Sequence, residues 1–328
     1  MCNFEHRKRL PVTSLIDFNC MHPPKFKYRG FGLNIGSDIA IPELYPYDFD
    51  RVDVSIEAGP INDPWFENDA SPRISQQSDP GLFKLQIPNA GRYLVENGRR
   101  LQMEPWGFSN PTAFRMYGLT IAFSACLLQR NLVLMHASGI VRSGSVFLFA
   151  GASGAGKSTM IARLMQHGHR IFSDDVCVFD GQMDAQGRYL AAPSYPLIKL
   201  DAESVDRFFP TMPRNKLWPD AEKFGIGFHD HFHTQPLPVK GIILLSKSPG
   251  IRQIQVEKLE GVKAFEALAA CTYRPGLIKT LSQQESHARV ISGLINQTKV
   301  FRILRPTQPD DGSSLMSAIV EWMDQIDQ

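Results

Sequence analysis

One stretch of this chain has residue types and spacing suited to phosphate chemistry: "GASGAGKS", Gly151 to Ser158, followed by adjacent acids at Asp174 and Asp175. The stretch satisfies the GxxxxGK(S/T) pattern in full. Its glycines let successive backbone N–H groups turn inward on phosphate oxygens, and a helix starting at the lysine adds the positive end of its dipole. Gly151, Ala152, Ser153, Gly154, Ala155, Gly156, Lys157, Ser158 and Thr159 are therefore the expected cradle for ATP. Lys157 would neutralise the β- and γ-phosphates, and Ser158 would offer a hydroxyl to Mg²⁺. Ser153 either touches phosphate or meets a plain need for a small residue in the loop.

The acids follow closely, with room between Lys157 and Asp174 for a short helix, a turn at Gly168 and the strand "RIFS". If that strand is the parallel neighbour of the loop's own strand, both acids reach the phosphate end of the sheet. One carboxylate can then hold a metal bridging two phosphates while the other accepts the proton of an attacking hydroxyl. Asp174 with Ser158 is the expected metal pair and Asp175 the preferred base, although spacing does not fix which acid does which. Two like charges side by side predict a raised pKa for one of them unless a metal offsets it. Without the loop upstream, the same pair reads as a turn or helix-cap pair.

The remaining pattern must place this loop on a sheet. "SVFLFA" reads as the strand before it, and "STMIARLMQHG" as the helix after it, with Met160, Ile161, Leu164 and Met165 apolar and Gly168 as its stop. "LVLMHASGIV", "HRIFSDDVCVFD" and "VKGIILLSK" are short, nearly continuous apolar runs, as in strands covered on both faces. With the strand "KVFRILR" and helices over "QQESHARVISGLINQT" and "GSSLMSAIVEWMDQI", the last signalled by Asp311–Gly312, residues 131–328 are predicted to form an α/β P-loop domain. Residues 26–110 alternate apolar and polar and carry an Asn97–Gly98 hairpin signal, which predicts a smaller β-rich N-terminal domain. Residues 111–130, opening on Pro111, predict a buried linking helix, and residues 1–25 a poorly ordered arm.

Composition narrows the function classes. The 328 residues are 43% hydrophobic and 21% charged, ordinary globular values for about two domains. With 35 basic and 33 acidic residues, the net charge of +2 gives no reason to expect nucleic acid or an anionic membrane as partner. The five cysteines are scattered without a CxxC pair, which argues against a disulfide framework or zinc ribbon and for reduced thiols in the cytoplasm. The N-terminus lacks the apolar core of a secretory signal, and the longest apolar run, near "LTIAFSACLL", is about half a membrane span. Homo-oligomerisation is left open.

"GASGAGKST…GHRIFSDD" resembles the catalytic segment of the HPr serine kinase/phosphorylase family, which has a GxSGxGKS loop, a Gly-His-Arg turn and an Asp-Asp pair at this spacing. The resemblance covers about residues 132–182, with weaker likeness through "VKGIILLS". It implies an HPr kinase / phosphoenolpyruvate carboxykinase-like nucleotide domain, with ATP and Mg²⁺ as cofactors. It also implies a catalytic role near the phosphates for His136, in "LMHASGI", beside Lys157, Asp174 and Asp175. Two departures stand out: Thr159 replaces the acid that follows the loop serine, and the downstream signature that contacts HPr is missing. "FGLNIGSDIAIPEL", "YLVENGRRLQMEP", "LQRNLVLMHAS", "PSYPLIKL" and "VFRILRP" instead look like the HPr-kinase-related proteins of lasso-peptide biosynthesis. That likeness implies a peptide or small-protein acceptor, with the C-terminal serine of a precursor peptide as the group phosphorylated. An HPr-type kinase and a nucleotide-gated binding protein without chemistry are the alternatives.

Other side chains have weaker claims. His229, His231 and His233 in "FHDHFH" share a face if extended, which could bind a transition metal or simply line a loop. Arg214, Lys216 and Lys223 are candidate clamps for a phosphate or carboxylate, or solvated loop charges. Arg274 is a candidate transition-state cation on position alone.

Overall fold

The computed structural model describes residues 23–68, 73–107, 109–307 and 312–327. The expected arm falls outside them up to residue 22, as do Cys2, Cys20 and Asp311. The N-terminal part forms an eight-stranded sheet from β1 (Phe26–Gly30), β2 (Leu33–Ser37), β3 (Tyr45–Pro46), β4 (Val54–Ala58), β5 (Ser75–Asp79), β6 (Leu82–Ile87), β7 (Gly91–Glu96) and β8 (Arg100–Pro105). Its order is β3-β1-β2-β4-β8-β7-β6-β5, with a short helix α1 (Pro64–Asn68) after β4. β4 buries Val54 and Ile56 and turns Ser55 and Glu57 outward, the period of two that its sequence shows. Asn97 and Gly98 take positive φ of 51° and 65° in the β7–β8 turn, as an Asn-Gly hairpin requires.

The linking segment is helical but not uniformly α. α2 (Pro111–Tyr117) starts on Asn110, whose side chain accepts from the N–H groups of Thr112 and Ala113, and runs through a π turn at Gly118–Ala122 into α3 (Phe123–Gln129). Within it Thr120 Oγ1 donates to the carbonyl of Met116 and Ser124 Oγ to that of Thr120, hydroxyl bonds that compete with the regular ladder. The helix is buried, and its core continues without a break from the N-terminal sheet to Leu134, Val178, Tyr195 and Tyr273 of the second half.

The larger sheet opens with β9 (Val133–Met135), β10 (Ala137–Arg142), β11 (Ser145–Ala150), β12 (Arg170–Ser173), β13 (Cys177–Phe179) and β14 (Leu190–Pro193). A separate three-stranded sheet, ordered β15-β17-β16, follows from β15 (Leu197–Asp201), β16 (Asn215–Lys216) and β17 (Lys223–Gly227). β18 (Leu237–Ser248), β19 (Gln255–Leu259) and β20 (Lys299–Pro306) then complete the larger sheet. β11, β18 and β20 run parallel. Every residue of β11 is buried, because Phe147 and Phe149 face α4 (Lys157–Gln166) while Val146 and Leu148 face the opposite layer. After α5 (Ala202–Phe208), that opposite layer receives α6 (Gly261–Ala269), then α7 (Pro275–Thr280) and α8 (Gln284–Gln297) follow, and α9 (Ser313–Asp327) returns to the α4 side.

One expectation about this sheet is corrected. β12, which delivers the acids, is not the neighbour of β11: β10 lies between them, antiparallel to both. Two reversals restore the direction, so the end of β12 still reaches the edge where β11 ends, with Ala137 opposite Ala150 and Gly139 opposite Ser173. The short connection at Ser143–Gly144, with φ of 49° and 68°, makes β10–β11 a hairpin that fills the place a crossover would have used. Among the described residues no helix is long and apolar enough to cross a membrane.

Trp322 of α9 is the largest side chain clamping this sheet, packed edge-on against Phe147 and Phe301 at 5.6 and 5.4 Å between ring centres. Trp322→Ala is expected to cost about 3–5 kcal/mol in denaturant unfolding, the usual penalty for emptying such a site.

Candidate active site

β11 ends in the glycine-rich loop read from the sequence as a phosphate cradle, and α4 begins at Lys157. Gly151 leaves the strand with φ of 137°, and a Cβ there would lie 2.4 Å from the carbonyl oxygen of Leu245 on β18. Gly156 caps α4 at φ 98°, with Arg305 of β20 packed behind it and donating to the carbonyl of Ala155 at 3.0 Å. The Lys157 ammonium folds back over the loop, donating to the carbonyls of Gly151 (2.8 Å) and Ala152 (3.1 Å). Burial pulls its pKa below the ordinary lysine value, opposed by the nearby charges of Asp174 and Asp175. Ser153, Gly154, Gly156, Lys157, Ser158 and Thr159 line a pocket with His136, Asp174 and Asp175, whereas Ala155 is turned into the core beneath it.

The acids lie between β12 and β13, where the chain leaves one part of the sheet for the other. Asp174 is 2% exposed and fully engaged. It accepts from Ser138 Oγ at 2.6 Å, from Ser158 Oγ at 2.9 Å and from the backbone N–H of Lys199 at 2.9 Å. The pair expected to hold a metal, Ser158 and Asp174, is thus brought together, presenting hard oxygen donors of the kind Mg²⁺ takes alongside phosphate and water.

Asp175 makes the turn with φ of 71°, a left-handed conformation that Asp tolerates better than most residues. Its Oδ2 accepts from Lys199 Nζ at 2.6 Å and, more loosely, from the Tyr273 hydroxyl at 3.4 Å, while His136 Nε2 stands 3.4 Å from Oδ1. His136 reaches this point because β9 stops and β10 starts on either side of it, its own N–H donating to the carbonyl of Cys271 at 2.7 Å.

The raised carboxylate pKa expected for the pair is not what the structure shows for Asp175. Burial opposes its charge, but the Lys199 ammonium and the hydrogen bond from His136 outweigh it and hold the carboxyl well below the usual range. Lys199 in turn is buried, and Asp175 holds its pKa well above the ordinary lysine value. Lys199 is the principal residue that reading the sequence left out of the site, with Leu200 and Asp201 beside it. The signal was available: a lysine inside the apolar run "PLIKL" falls on a covered strand, and a buried ammonium needs acceptors inside the protein to replace its hydration.

The weaker candidates separate. Lys223 lines the pocket from β17, opposite Asp201 in register. Arg214 pairs with Asp206 at 2.8 Å, Lys216 is exposed on β16, and Arg274 stands at the start of α7 over the Tyr273 ring, outside the pocket lining. The three histidines do not lie extended on one face. His229–His231 form a 3-10 turn, His229 Nε2 lies 3.3 Å from the carbonyl of Leu44, and His233 packs on Phe172. Among the described residues no group of three His, Cys, Asp or Glu side chains is placed to hold a metal ion.

The folded-state depression of Asp175 fixes a sign for acid stability. Its unfolded carboxyl titrates near pH ~3.9, so the stabilisation is complete above that value and is lost as pH falls below it. Thermal melts from pH ~7 to ~2.5 are expected to show wild type well above Asp175→Asn at neutral pH, with the gap closing at the acid end. A gap independent of pH would contradict this.

No protein-family model and no curated protein matches the chain. Among solved structures it is similar to the Hpr(Ser) kinase/phosphatase from Coxiella burnetii, with a TM-score of 0.32 and 14% identity over 59% of this chain and 91% of that one.

Proposed function

We propose that the chain transfers the γ-phosphoryl group of ATP to a serine hydroxyl of a peptide or small protein. The observation that carries this reading is the convergence, at one sheet edge, of a phosphate loop with a carboxylate on its serine (Ser158–Asp174, 2.9 Å) and a second carboxylate facing a histidine (Asp175–His136, 3.4 Å). A loop that only held a nucleotide would need the first carboxylate and not the second. The loop amides and Lys157 bind the phosphates, and Lys157 exchanges its bonds to Gly151 and Ala152 for phosphate oxygens. Mg²⁺ held by Ser158 and Asp174 would neutralise charge on the β- and γ-phosphates. Asp175 orients the acceptor hydroxyl and takes its proton, and His136 fixes the carboxylate from the other side. A serine acceptor, with the C-terminal serine of a lasso-peptide precursor as the specific case, is what the family resemblance of the loop and its flanks implies.

The test is transfer from γ-labelled ATP and Mg²⁺ to serine-ended peptides and to HPr. Wild type is expected to label a serine peptide, Asp175→Asn to lose about a hundredfold or more in rate while still binding nucleotide, and Lys157→Met to lose nucleotide binding. Nucleotide bound by wild type with no acceptor ever labelled would reduce the protein to a nucleotide-gated binder.

A further inference from the structure

The pocket holds one buried cation that the phosphate loop itself does not account for. Lys199 stands on β15, 8% exposed, with Nζ 2.6 Å from Asp175 Oδ2 and 5.7 Å from the centre of the Trp218 ring. Its backbone N–H donates to Asp174, and Asp174 accepts from the hydroxyl of Ser158 in the first turn of α4. A single carboxylate therefore separates the main chain of Lys199 from the phosphate loop, and its side chain lines the same cavity as Gly154, Lys157 and Ser158. An ion pair with a buried ammonium and a partly buried carboxylate adds little stability over apolar residues, since desolvating the charges offsets their attraction. What it does provide is a stored charge. An ammonium is a compact cation with three donors on a flexible stem, able to turn from one anionic oxygen to another without moving the main chain.

We propose that Lys199 binds the terminal phosphate of a nucleoside triphosphate, exchanging its bond to Asp175 for one to a γ-phosphoryl oxygen, so that the site distinguishes triphosphate from diphosphate. This rests on the phosphoryl-transfer reading of the pocket and adds a residue to it. Lys157 is tied to carbonyls of the loop and reaches the β-phosphate as well as the γ-phosphate, so it serves both nucleotides. Lys223 is exposed on β17, where solvent screens its charge. Lys199 alone of these three is held by the carboxylate assigned to the acceptor hydroxyl, on the side of the pocket where the transferred group must lie.

Equilibrium titration with ADP and with the non-hydrolysable β,γ-imido analogue of ATP, both with Mg²⁺, tests this without turnover. Lys199→Met is expected to weaken the triphosphate about tenfold and ADP less than about twofold. Lys199→Gln, which keeps a donor for Asp175, should show the same selective loss if the methionine variant does not fold. Asp175→Asn releases Lys199 and should tighten the triphosphate several-fold, and that gain should vanish in the Lys199→Met background, as a double-mutant cycle measures. Equal losses for the two nucleotides, the same selective loss from Lys223→Met, or an Asp175→Asn gain that persists without Lys199 would each overturn the assignment. A wild type that binds neither nucleotide overturns the functional reading and this assignment with it. A wild type with the expected selectivity but no transfer activity supports the Lys199 assignment while removing the kinase reading.

Discussion

The buried carboxylate of Asp174 is the constraint around which the rest of the site is assembled. Withdrawing an ionised acid from water costs several kcal/mol unless hydrogen bonds replace its hydration. Here they come from three separate elements: Ser138 on β10, Ser158 on α4 and the main chain of Lys199 on β15. Its hydrogen bonds are complete only when the hairpin, the helix α4 and the three-stranded sheet have all docked. These bonds therefore couple the order of the loop to that of the neighbouring sheet. The same bonds place Lys199 over Asp175, because a strand whose N–H at 199 points at Asp174 brings the side chain of that residue to the adjoining acid.

The break in the large sheet serves the same end. β10 and β12 pair on one side of it, and β9 and β13 on the other, with Met135 opposite Cys177 just past the interruption. His136 and Asp175 occupy the two chain crossings. Had either ladder continued, the regular pleat would have sent alternate side chains to opposite faces, and the histidine and the acid would not both face the loop. A left-handed turn at Asp175 is the local cost of the arrangement, of order 1–3 kcal/mol, and such strain concentrates where a site requires it.

Much of this was legible in the sequence, and the boundary of legibility has physical reasons. The loop, its strand and its helix follow from local chemistry: glycines where φ is positive, an unbroken apolar run before them, and an amphipathic period after. The proximity of Asp174 to Ser158 followed from the short connection. What spacing could not supply was the identity of the strand between β11 and β12, since a hairpin and a crossover both bring a later strand to the same edge. Nor could it supply the pKa of Asp175, which depends on Lys199, a residue that arrives from a different sheet. The histidine cluster failed for a related reason: an alternating pattern specifies one face only if the backbone is extended, and at His229–His231 it turns. The π turn in the linking helix had no strong breaker to announce it, only a glycine and hydroxyls that bond backward along the helix.

Both buried lysines of the pocket have internal acceptors, carbonyls for Lys157 and a carboxylate for Lys199. That arrangement avoids the penalty of an uncompensated buried charge, which for a broken pair is about 3–5 kcal/mol. It also sets a condition on binding, because phosphate must compete with partners already in place and only the difference contributes to affinity. For Lys157 that difference is large, since phosphate anions replace neutral carbonyls. For Lys199 it is smaller, since one anion replaces another, and it favours exchange only where the incoming charge is concentrated, at a terminal phosphate. Under the proposed phosphoryl transfer, the carboxylate assigned to the acceptor hydroxyl would be freed of its strongest partner only with a transferable group in the site, linking the two halves of that reaction through a single side chain.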